Sequence, residues 1–139
     1  SYLAGITLAI ANVGAVHALA QTVGGKYKVS HGVANALFLP YVMSYNRIAC
    51  RKKYAKVAAL LGERVDDLSL EEASRKAVDS VRRLTAEVRI PQKLRELDVP
   101  EKELSSLADR CLQTQGRLVV LNPRSADVEA LRGILQSAY

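Results

Sequence analysis

Apolar residues recur at helical spacing along most of this 139-residue chain. The clearest stretch is residues 70–88, where apolar positions follow one another every three or four residues. Ser69 and Glu72 open this stretch with the spacing of a capping box, and Pro91 ends it because proline donates no backbone hydrogen bond. The pattern predicts helices over residues 2–23, 31–45, 47–61, 70–90 and 100–112 and a last helix capped by Ser125 and ending at Ser137.

Glycine, serine and proline mark the predicted ends of these helices. Gly24 and Gly25 are expected to stop the first helix, since glycine is a common C-terminal cap, and Ser30 is expected to cap the second. Pro40 lies inside the second helix and is expected to kink or divide it. Gly62 ends the third helix, whose basic residues face one side and whose apolar residues face the other.

Only residues 117–121, RLVVL, resemble a β-strand, and this run is too isolated to make a sheet. Aromatic residues are scarce and there is no Trp, so alanine and leucine must supply most of the packing, which favours helices. A length of 139 residues suits one domain with a real core. The sequence therefore predicts a single all-α domain.

The net charge of +6 is unevenly distributed. Every Asp and Glu lies at position 63 or later, so residues 1–62 carry seven basic and no acidic residues, and the remainder carries 13 basic and 14 acidic residues. A basic half can attract nucleic acid, a phosphate-bearing cofactor, or an acidic surface of the same protein. The densest cluster, RKKYAK at residues 51–56, is interpreted as a solvated helix face, with nucleic-acid binding as the alternative.

Residues 2–25 carry no charge and are long enough to be compared with a membrane span of about 20 residues. The run is mostly Ala and Gly, and Asn12, His17 and Gln21 in its interior would each need a hydrogen-bond partner in lipid. A fully buried helix is therefore predicted rather than a membrane span, and no basic segment precedes the run as in a signal peptide. Because the sequence opens within a helical pattern, we expect it to be a fragment.

Cys50 and Cys111 lack CxxC spacing and are too few for a disulfide scaffold, so reduced thiols in a cytoplasmic protein are expected. The sequence has no GxSxG nucleophile elbow, no Walker loop and no HExxH zinc motif. The glycines of GGKYKVSHG lack the preceding strand that a dinucleotide fingerprint requires. The chain itself is therefore not expected to form a nucleotide-binding fold.

His17 and His31 are the only histidines, and the predicted helix end at Gly24 and Gly25 lies between them. They belong to two successive helices whose packed ends can bring the imidazoles together, and small residues such as Gly14 allow close approach. A divalent cation normally needs at least three protein ligands, often with a carboxylate, which the first 62 residues lack. Two interpretations stay open: hydrogen-bonded core histidines, or a metal site completed by another segment or chain.

The segment GAVHALAQTVGGKYKVSHGVANALFLPYVMSYN, residues 14–46, resembles the signature of the iron-containing alcohol dehydrogenases. In that family the signature is roughly G-x-x-H-A-x-A-H-x-x-G, followed by H-G-x-A-N-A-x-x-L-P and an Asn. The upstream LAGITLAIANVG, the downstream PQKLRELDVPEKELSSLADRCL and NPR at residues 122–124 are also similar to the family's C-terminal half. The resemblance covers nearly the whole chain, and its histidine-containing core is highly specific.

The resemblance implies part of the C-terminal all-α domain of a dehydroquinate synthase-like fold, which follows an N-terminal α/β domain that binds NAD or NADP. In the family, one Asp and three His hold Fe²⁺, Zn²⁺ or another divalent metal, and the two downstream histidines correspond to His17 and His31. The other two ligands and the nucleotide domain would precede residue 1. By the same resemblance, the metal acts as a Lewis acid on the alcohol oxygen while a hydride passes to the nicotinamide.

Two residues depart from the family pattern. Gln21 stands where the family usually has a second His, a residue near the substrate rather than a ligand. Tyr41 replaces a common His after Leu-Pro. Gln does not titrate near neutral pH, so the resemblance does not carry the family's proton relay over to position 21, and the choice of substrate can differ.

The resemblance thus predicts the C-terminal portion of a metal-dependent NAD(P) alcohol dehydrogenase acting on a small alcohol or aldehyde, inactive as an isolated fragment. A glycerol dehydrogenase-like enzyme is the alternative within the family. A basic helical binding module is the alternative from another class, although nucleic acid and membranes are not the expected partners. Removal of the neighbouring domain would expose apolar surface, so a homo-oligomer is expected.

Overall fold

The computed structural model describes residues 2–139, without the side chain of residue 4. Its regular structure consists of six α-helices and two short 3₁₀ helices, with no β-strand in residues 2–139. The all-α prediction is confirmed. The α-helices are α1 (Tyr2–Ala11), α2 (Ala15–Tyr27), α3 (His31–Leu60), α4 (Leu70–Glu87), α5 (Leu104–Val120) and α6 (Val128–Ala138), and the 3₁₀ helices are Leu94–Leu97 and Glu101–Glu103.

Two hydrophobic cores hold the helices together. In the main core, α2 packs against α3 and α5, and α6 packs against the same two helices. Full burial of one large apolar side chain contributes about 1.5–3 kcal/mol. A smaller core around Met43 and Val78 joins the middle and the C-terminal part of α3 to α4. The largest fully buried side chains of the main core include Leu19, Leu37, Phe38, Leu94, Leu107, Leu131 and Leu135.

The first predicted helix, residues 2–23, is interrupted by a sharp bend. Residues 12–14 separate α1 from α2, and the two helices are inclined by 96°. Asn12 has a φ of 63°, a left-handed conformation that Asn tolerates better than most residues. A Cβ at Gly14 would lie 3.2 Å from Oδ1 of Asn122, so a larger residue would displace that side chain. The prediction of one helix is wrong because apolar spacing does not reveal this long-range contact.

The glycine pair that was predicted to end the first helix lies inside α2. The helix continues through Gly24 and Gly25 to Tyr27, and Lys28 takes the left-handed conformation (φ 56°) that closes it. Glycine within a helix costs only about 1 kcal/mol relative to alanine, which the buried face of α2 offsets. Gly24 also has a packing role, because a Cβ there would lie 3.0 Å from the carbonyl oxygen of Val29.

The second and third predicted helices form the single element α3. Ser30 occupies its N-cap position as predicted, although the Ser30 side chain makes no capping hydrogen bond. Pro40 lies within α3 and is buried, and it does not divide the helix. The backbone instead leaves helical geometry at Cys50 (φ −124°, ψ 20°). Packing of α3 against α2 and α4 offsets the cost of an internal proline, about 3 kcal/mol.

The strand-like run at residues 117–121 is mostly helical. α5 continues past its predicted end at residue 112 and reaches Val120, with a local distortion at Gln115 (φ −123°, ψ 16°). Leu118 and Val119 are buried in the main core as part of this helix. Tertiary packing therefore overrides the β-propensity of the Leu-Val-Val sequence.

The capping predictions hold for α4 but not for α6. The backbone N–H of Glu72 donates to Oγ of Ser69 at 3.3 Å, and the backbone N–H of Ser69 donates to the Glu72 carboxylate at 3.0 Å, which completes the predicted capping box. Asp127 rather than Ser125 caps α6, since its carboxylate accepts from the backbone N–H of Ala130 at 2.8 Å. Asp and Ser cap helices about equally well, so residue type alone does not decide between positions 125 and 127.

The prediction of a fully buried helix over residues 2–25 is correct for much of α2 and wrong for α1. Tyr2, Leu3 and Ile10 are 80%, 77% and 81% exposed. An uncharged composition predicts burial without specifying the covering surface, and residues 2–139 do not cover these side chains. No single described helix is long and apolar enough to cross a membrane, and α1 and α2 pass that test only as a pair bent by 96°.

Candidate metal and substrate site

The structure brings together the two histidines that the sequence pattern singled out. His17 lies in the first turn of α2, and His31 is the first residue of α3. The centroids of the two imidazole rings are 5.3 Å apart, and the ring planes are inclined by 59°. The left-handed Lys28 and the extended Ser30 form the turn that connects the two helices.

The two imidazoles have different environments. His17 is half-buried, whereas His31 is exposed. Burial, and to a lesser extent the neighbouring charge of His31, lowers the pKa of His17 below its usual 6.5. No carboxylate in residues 1–62 offsets the repulsion between two protonated rings. The site therefore favours the neutral imidazole of His17, which is the form that binds metals.

Asn35, one turn after His31, contacts the imidazole of His31. The amide nitrogen Nδ2 lies 2.8 Å from the carbonyl oxygen of His31 and 3.0 Å from its ring nitrogen Nε2. A carbonyl oxygen only accepts, so Nδ2 is the donor and Nε2 of His31 is the acceptor. Oδ1 of Asn35 is buried and has no hydrogen-bond partner among the described residues. A buried acceptor without a partner is a place where a hydrogen-bond donor from outside the described residues can bind.

The histidine pair fits part of a metal site. Neutral imidazole nitrogens are common ligands for Zn²⁺ and Fe²⁺, and the two rings converge from separate helices. Within residues 2–139, however, no group of three or more His, Cys, Asp or Glu side chains could hold a metal ion. The residues present therefore fit a metal only if its remaining ligands come from outside this part of the chain.

A cleft of about 530 Å³ opens beside His17, where α1, α2 and α3 meet. Its walls are mainly apolar, and only Asn12, His17 and Asn35 add polar side chains. A small number of polar groups in an apolar cleft is typical of sites that bind small molecules. The other lining residues are Leu8, Val13, Gly14, Val16, Gly32, Ala36 and Leu39.

Two buried asparagines fix the helices that carry the histidines. Nδ2 of Asn46 donates to Oδ1 of Asn122 at 2.9 Å, and Nδ2 of Asn122 donates to Oδ1 of Asn46 at 2.6 Å. Oδ1 of Asn122 also accepts from the backbone N–H of Ala15, two residues before His17, at 3.4 Å. Sequence reasoning assigned no role in the site to this pair or to Asn35. The available signal was the presence of Asn at buried positions in otherwise apolar helical segments.

The two residues that depart from the family pattern lie in different places. Gln21 is exposed and lies one turn after His17, so both belong to the same face of α2. Tyr41 lies ten residues after His31 on α3, which corresponds to about 15 Å along a helix. Its hydroxyl donates to the carbonyl oxygen of Gln92 at 2.6 Å. The substitution at position 41 is therefore separate from the histidine pair, whereas position 21 adjoins it.

The basic run at residues 51–56 is exposed along the C-terminal half of α3. Arg51, Lys52, Lys53 and Lys56 all face solvent, and Nε of Arg51 forms an ion pair with Glu71 on α4 at 2.9 Å. This arrangement favours the interpretation of the run as a solvated helix face.

The C-terminal model of the Fe-containing alcohol dehydrogenase family matches residues 1–139. Among curated relatives, the 1,3-propanediol dehydrogenase of Klebsiella pneumoniae is 40% identical over 139 residues, which cover 100% of this chain and 35% of the relative. The lactaldehyde reductase of Escherichia coli (strain K12) is 37% identical over 141 residues, covering 99% of this chain and 36% of the relative. The chain thus spans about a third of the length of the relatives it matches.

The fold is similar to that of solved enzymes. The match to the crystal structure of a 1,3-propanediol oxidoreductase has a TM-score of 0.87 at 39% identity, with coverage of 92% of this chain and 33% of that one. An alcohol dehydrogenase from Oenococcus oeni gives a TM-score of 0.86 at 34% identity, with the same coverage. The chain therefore belongs to the iron-containing alcohol dehydrogenase family and corresponds to its C-terminal domain.

Proposed function

We propose that this chain is the metal- and substrate-binding part of a NAD(P)-dependent alcohol dehydrogenase. The reaction is hydride transfer from the carbon of a small alcohol to the nicotinamide, or the reverse reaction with an aldehyde or ketone. The observation that carries the proposal is the convergence of His17 and His31, 5.3 Å apart, beside an apolar cleft. Because the chain belongs to the iron-containing alcohol dehydrogenase family, we interpret this geometry as part of a metal and substrate site.

His17 and His31 would hold a divalent metal such as Fe²⁺ or Zn²⁺, with the remaining ligands supplied from outside residues 2–139. When bound, the metal supplies Lewis-acid polarisation of the substrate oxygen. Burial lowers the pKa of His17 and so favours the neutral form that such a role requires. Nε2 of His31 would have to release the Asn35 amide to bind the metal, because one lone pair cannot serve both. The Asn46–Asn122 pair ties the start of α2 to α3.

The apolar cleft beside His17 would hold the carbon chain of the substrate and exclude water from the reacting atoms. Gln21 would lie near the substrate rather than bind the metal, since it is exposed on the same face of α2 as His17. The names of the relatives, a 1,3-propanediol dehydrogenase and a lactaldehyde reductase, support a small oxygenated substrate. A glycerol dehydrogenase-like activity is the alternative within this proposal, and kinetics with glycerol and 1,3-propanediol distinguish the two.

The proposed enzyme needs more than this chain. An N-terminal domain of the same polypeptide would bind NAD or NADP and contribute the missing ligands, and the chain alone would be inactive. Its exposed α1 favours further burial, either against that domain or in a homo-oligomer. The free thiols of Cys50 and Cys111 support a reducing compartment, which for this enzyme would be the cytoplasm.

A chimaeric enzyme tests the proposal. Residues 1–139 replace the matched 35% of the Klebsiella pneumoniae 1,3-propanediol dehydrogenase, and metal content and NAD-dependent oxidation of 1,3-propanediol are measured. We expect an active, metal-containing chimaera. His17→Ala and His31→Ala should each lower activity and metal retention by about 100-fold, because either change opens the coordination shell.

Gln21→Ala is the matched control on the same face of α2. It should leave the metal content unchanged and raise KM for the alcohol. A folded chimaera in which either histidine can be replaced without loss of metal or activity would refute the proposed role of the pair.

A further inference from the structure

We propose that a second cleft, lined by α3, α4 and α6, binds a small phosphate-bearing anion. The cleft has a volume of about 410 Å³ and lies on the side of α3 that carries Tyr41, Ser44 and Tyr45. Arg82 on α4 and Arg124 before α6 complete its polar wall. None of the residues that line it also lines the cleft beside His17, so the two sites are distinct.

Cationic side chains surround this cleft without a carboxylate among its lining residues. The guanidiniums of Arg82 and Arg124 line it directly. The ammonium of Lys93 lies 5.6 Å from the centroid of the Tyr41 ring and donates to the carbonyl oxygen of Ser137, another lining residue, at 3.0 Å. Three positive charges therefore converge on one concave surface, which attracts anions.

Arg124 is held in place before any ligand binds. Its guanidinium carbon lies 4.0 Å from the centroid of the Tyr45 ring, and Nη1 donates to the carbonyl oxygen of Tyr45 at 2.9 Å. The other guanidinium nitrogens make no hydrogen bond to residues 2–139. A planar guanidinium that is already oriented loses less side-chain entropy when it binds an oxyanion.

The positive charge of Arg82 is available to a ligand. It is exposed, lies 5.7 Å from the centroid of the Tyr41 ring, and forms no ion pair within the described part of the chain. Asp79, one turn earlier on α4, lines an adjoining cleft of about 320 Å³ together with Arg82 and is the nearest acid on that helix face. Arg47 and Arg75 line the same adjoining cleft and share the carboxylate of Glu71. The joined clefts thus keep an excess of positive charge.

Two further acids near the cleft are already engaged, and one of them, Glu129, pairs with Arg132 on α6. The Glu96 carboxylate accepts the backbone N–H groups of Gln92 and Lys93 at 3.0 and 2.8 Å. It therefore serves the start of the 3₁₀ helix Leu94–Leu97, although burial and, in smaller part, the charge of Glu96 raise the pKa of Tyr41 against the opposing charge of Arg82.

The chemistry of the walls favours phosphate over other anions. Guanidinium groups bind phosphate oxygens through paired, charge-assisted hydrogen bonds, and the exposed hydroxyl of Ser44 offers another donor. Ser44 and Arg82 line both clefts, so the two volumes adjoin and can admit a group longer than a single phosphate. A diphosphate group or a phosphate monoester is the ligand class that matches this length and charge. The inference does not depend on the proposed alcohol dehydrogenase activity.

Titration calorimetry of the full 139-residue chain with inorganic phosphate and with pyrophosphate, at constant ionic strength, tests the proposal. We expect saturable binding at one site, tighter for pyrophosphate because it reaches both clefts. Arg82→Gln should weaken binding of pyrophosphate about tenfold or more, since a charge-assisted hydrogen bond is lost. Arg117→Gln is the control, because Arg117 is an exposed arginine on α5 that forms no ion pair with the described residues.

A second pair of variants tests the position of the site. Gly133 lines the cleft, and a Cβ there meets no atom within 4 Å, so Gly133→Glu places a carboxylate on the wall without a clash. Gly116 on α5 is equally unhindered, and Gly116→Glu changes the net charge by the same amount. Gly133→Glu should weaken pyrophosphate binding about tenfold, and Gly116→Glu should leave it nearly unchanged. Absence of saturable binding, or equal losses in each variant and its control, would overturn the proposal.

Discussion

The α1–α2 end of the molecule and the α3–α4 pair differ in how their charged residues are paired. α4 has a complete capping box, its Glu71 binds three arginines, and a small core joins it to α3. The α1–α2 end has no acidic residue and exposes Ile10, and at the adjoining start of α3 Oδ1 of Asn35 has no partner among the described residues. Both regions expose large apolar side chains, since Leu60 of α3 is 86% exposed, so the difference between them lies in charge. Glu71 of α4 pairs with arginines of α3 and α4, whereas the α1–α2 end has no acid of its own, and a metal at its histidines would need carboxylate ligands from another segment.

The sharpest test of this contrast compares a core leucine of α2 with an exposed isoleucine of α1. Leu19 is fully buried, so Leu19→Ala should lower the free energy of unfolding by about 2–5 kcal/mol. Ile10 is 81% exposed, and Ile10→Ala should leave that free energy within about 0.5 kcal/mol of the original value. Urea denaturation measures both. Similar losses for the two variants would mean that α1 packs as firmly as α2.

Exposed apolar surface on α1 should also affect association. Because Ile10→Ala removes part of that surface, it should shift sedimentation profiles towards smaller species at high concentration. Unchanged association in Ile10→Ala would show that α1 is not the surface through which copies of the chain meet.

The next largest effect should come from the asparagine pair that connects the two regions. Asn46→Ala leaves the buried amide of Asn122 without one of its partners, and we expect a loss of about 1–3 kcal/mol in the free energy of unfolding. Asn122→Ala should cost at least as much, because it also removes the acceptor for the backbone N–H of Ala15. The double variant should cost less than the sum of the two single changes, since both remove the same bonds. Strict additivity would contradict a shared network.

A smaller effect on stability, which depends on pH, is expected from Glu63 in the loop between α3 and α4. Hydrogen bonds from Ser80, and then from Arg83, lower the pKa of Glu63 below its usual 4.5. Because the folded pKa is the lower one, Glu63 contributes stability above about pH 4.5 and loses it as the pH falls through the folded pKa. Glu63→Gln should therefore lower Tm at pH 7 and reduce the fall of Tm in acid.

Glu87→Gln is the control for this measurement, because Glu87 is an exposed carboxylate at the end of α4 that forms no ion pair with the described residues. Thermal unfolding followed between pH 3 and pH 7 gives the comparison. If both variants have the same profile, Glu63 has no special part in acid stability.

Much of the framework could be predicted from sequence because it depends on local patterns. The capping box of Ser69 and Glu72 and the apolar spacing of α4 placed this helix nearly correctly. The predictions failed where long-range packing decides the outcome. The bend at residues 12–14 places Gly14 against Asn122, more than a hundred residues later, and Leu118 lies in a helix that packs into the main core. Neither contact leaves a periodic signal.

The candidate site was recognised from sequence through its histidines, and the structure adds the groups that arrange them. Two histidines on successive helices could be expected to meet, and their rings lie 5.3 Å apart. The hydrogen bond from Asn35 to His31 could not be expected, because an Asn one turn along a helix more often faces solvent. Gly24 and Gly25 do not end α2, which continues to Tyr27. The positions of the glycines in the sequence therefore did not locate the turn between the histidines.

We propose that His17 and His31 form only part of a metal site, which residues outside 2–139 would complete. The most direct measurement is the stoichiometry of Zn²⁺ and Fe²⁺ retained after dialysis by the 139-residue chain and by the chimaeric enzyme, each with its His17→Ala variant. We expect about one metal ion per chimaera, little in the chain alone, and little in either His17→Ala variant, because two imidazoles are too few ligands for tight binding. Stoichiometric metal held by the chain alone through residues 2–139 would contradict the claim.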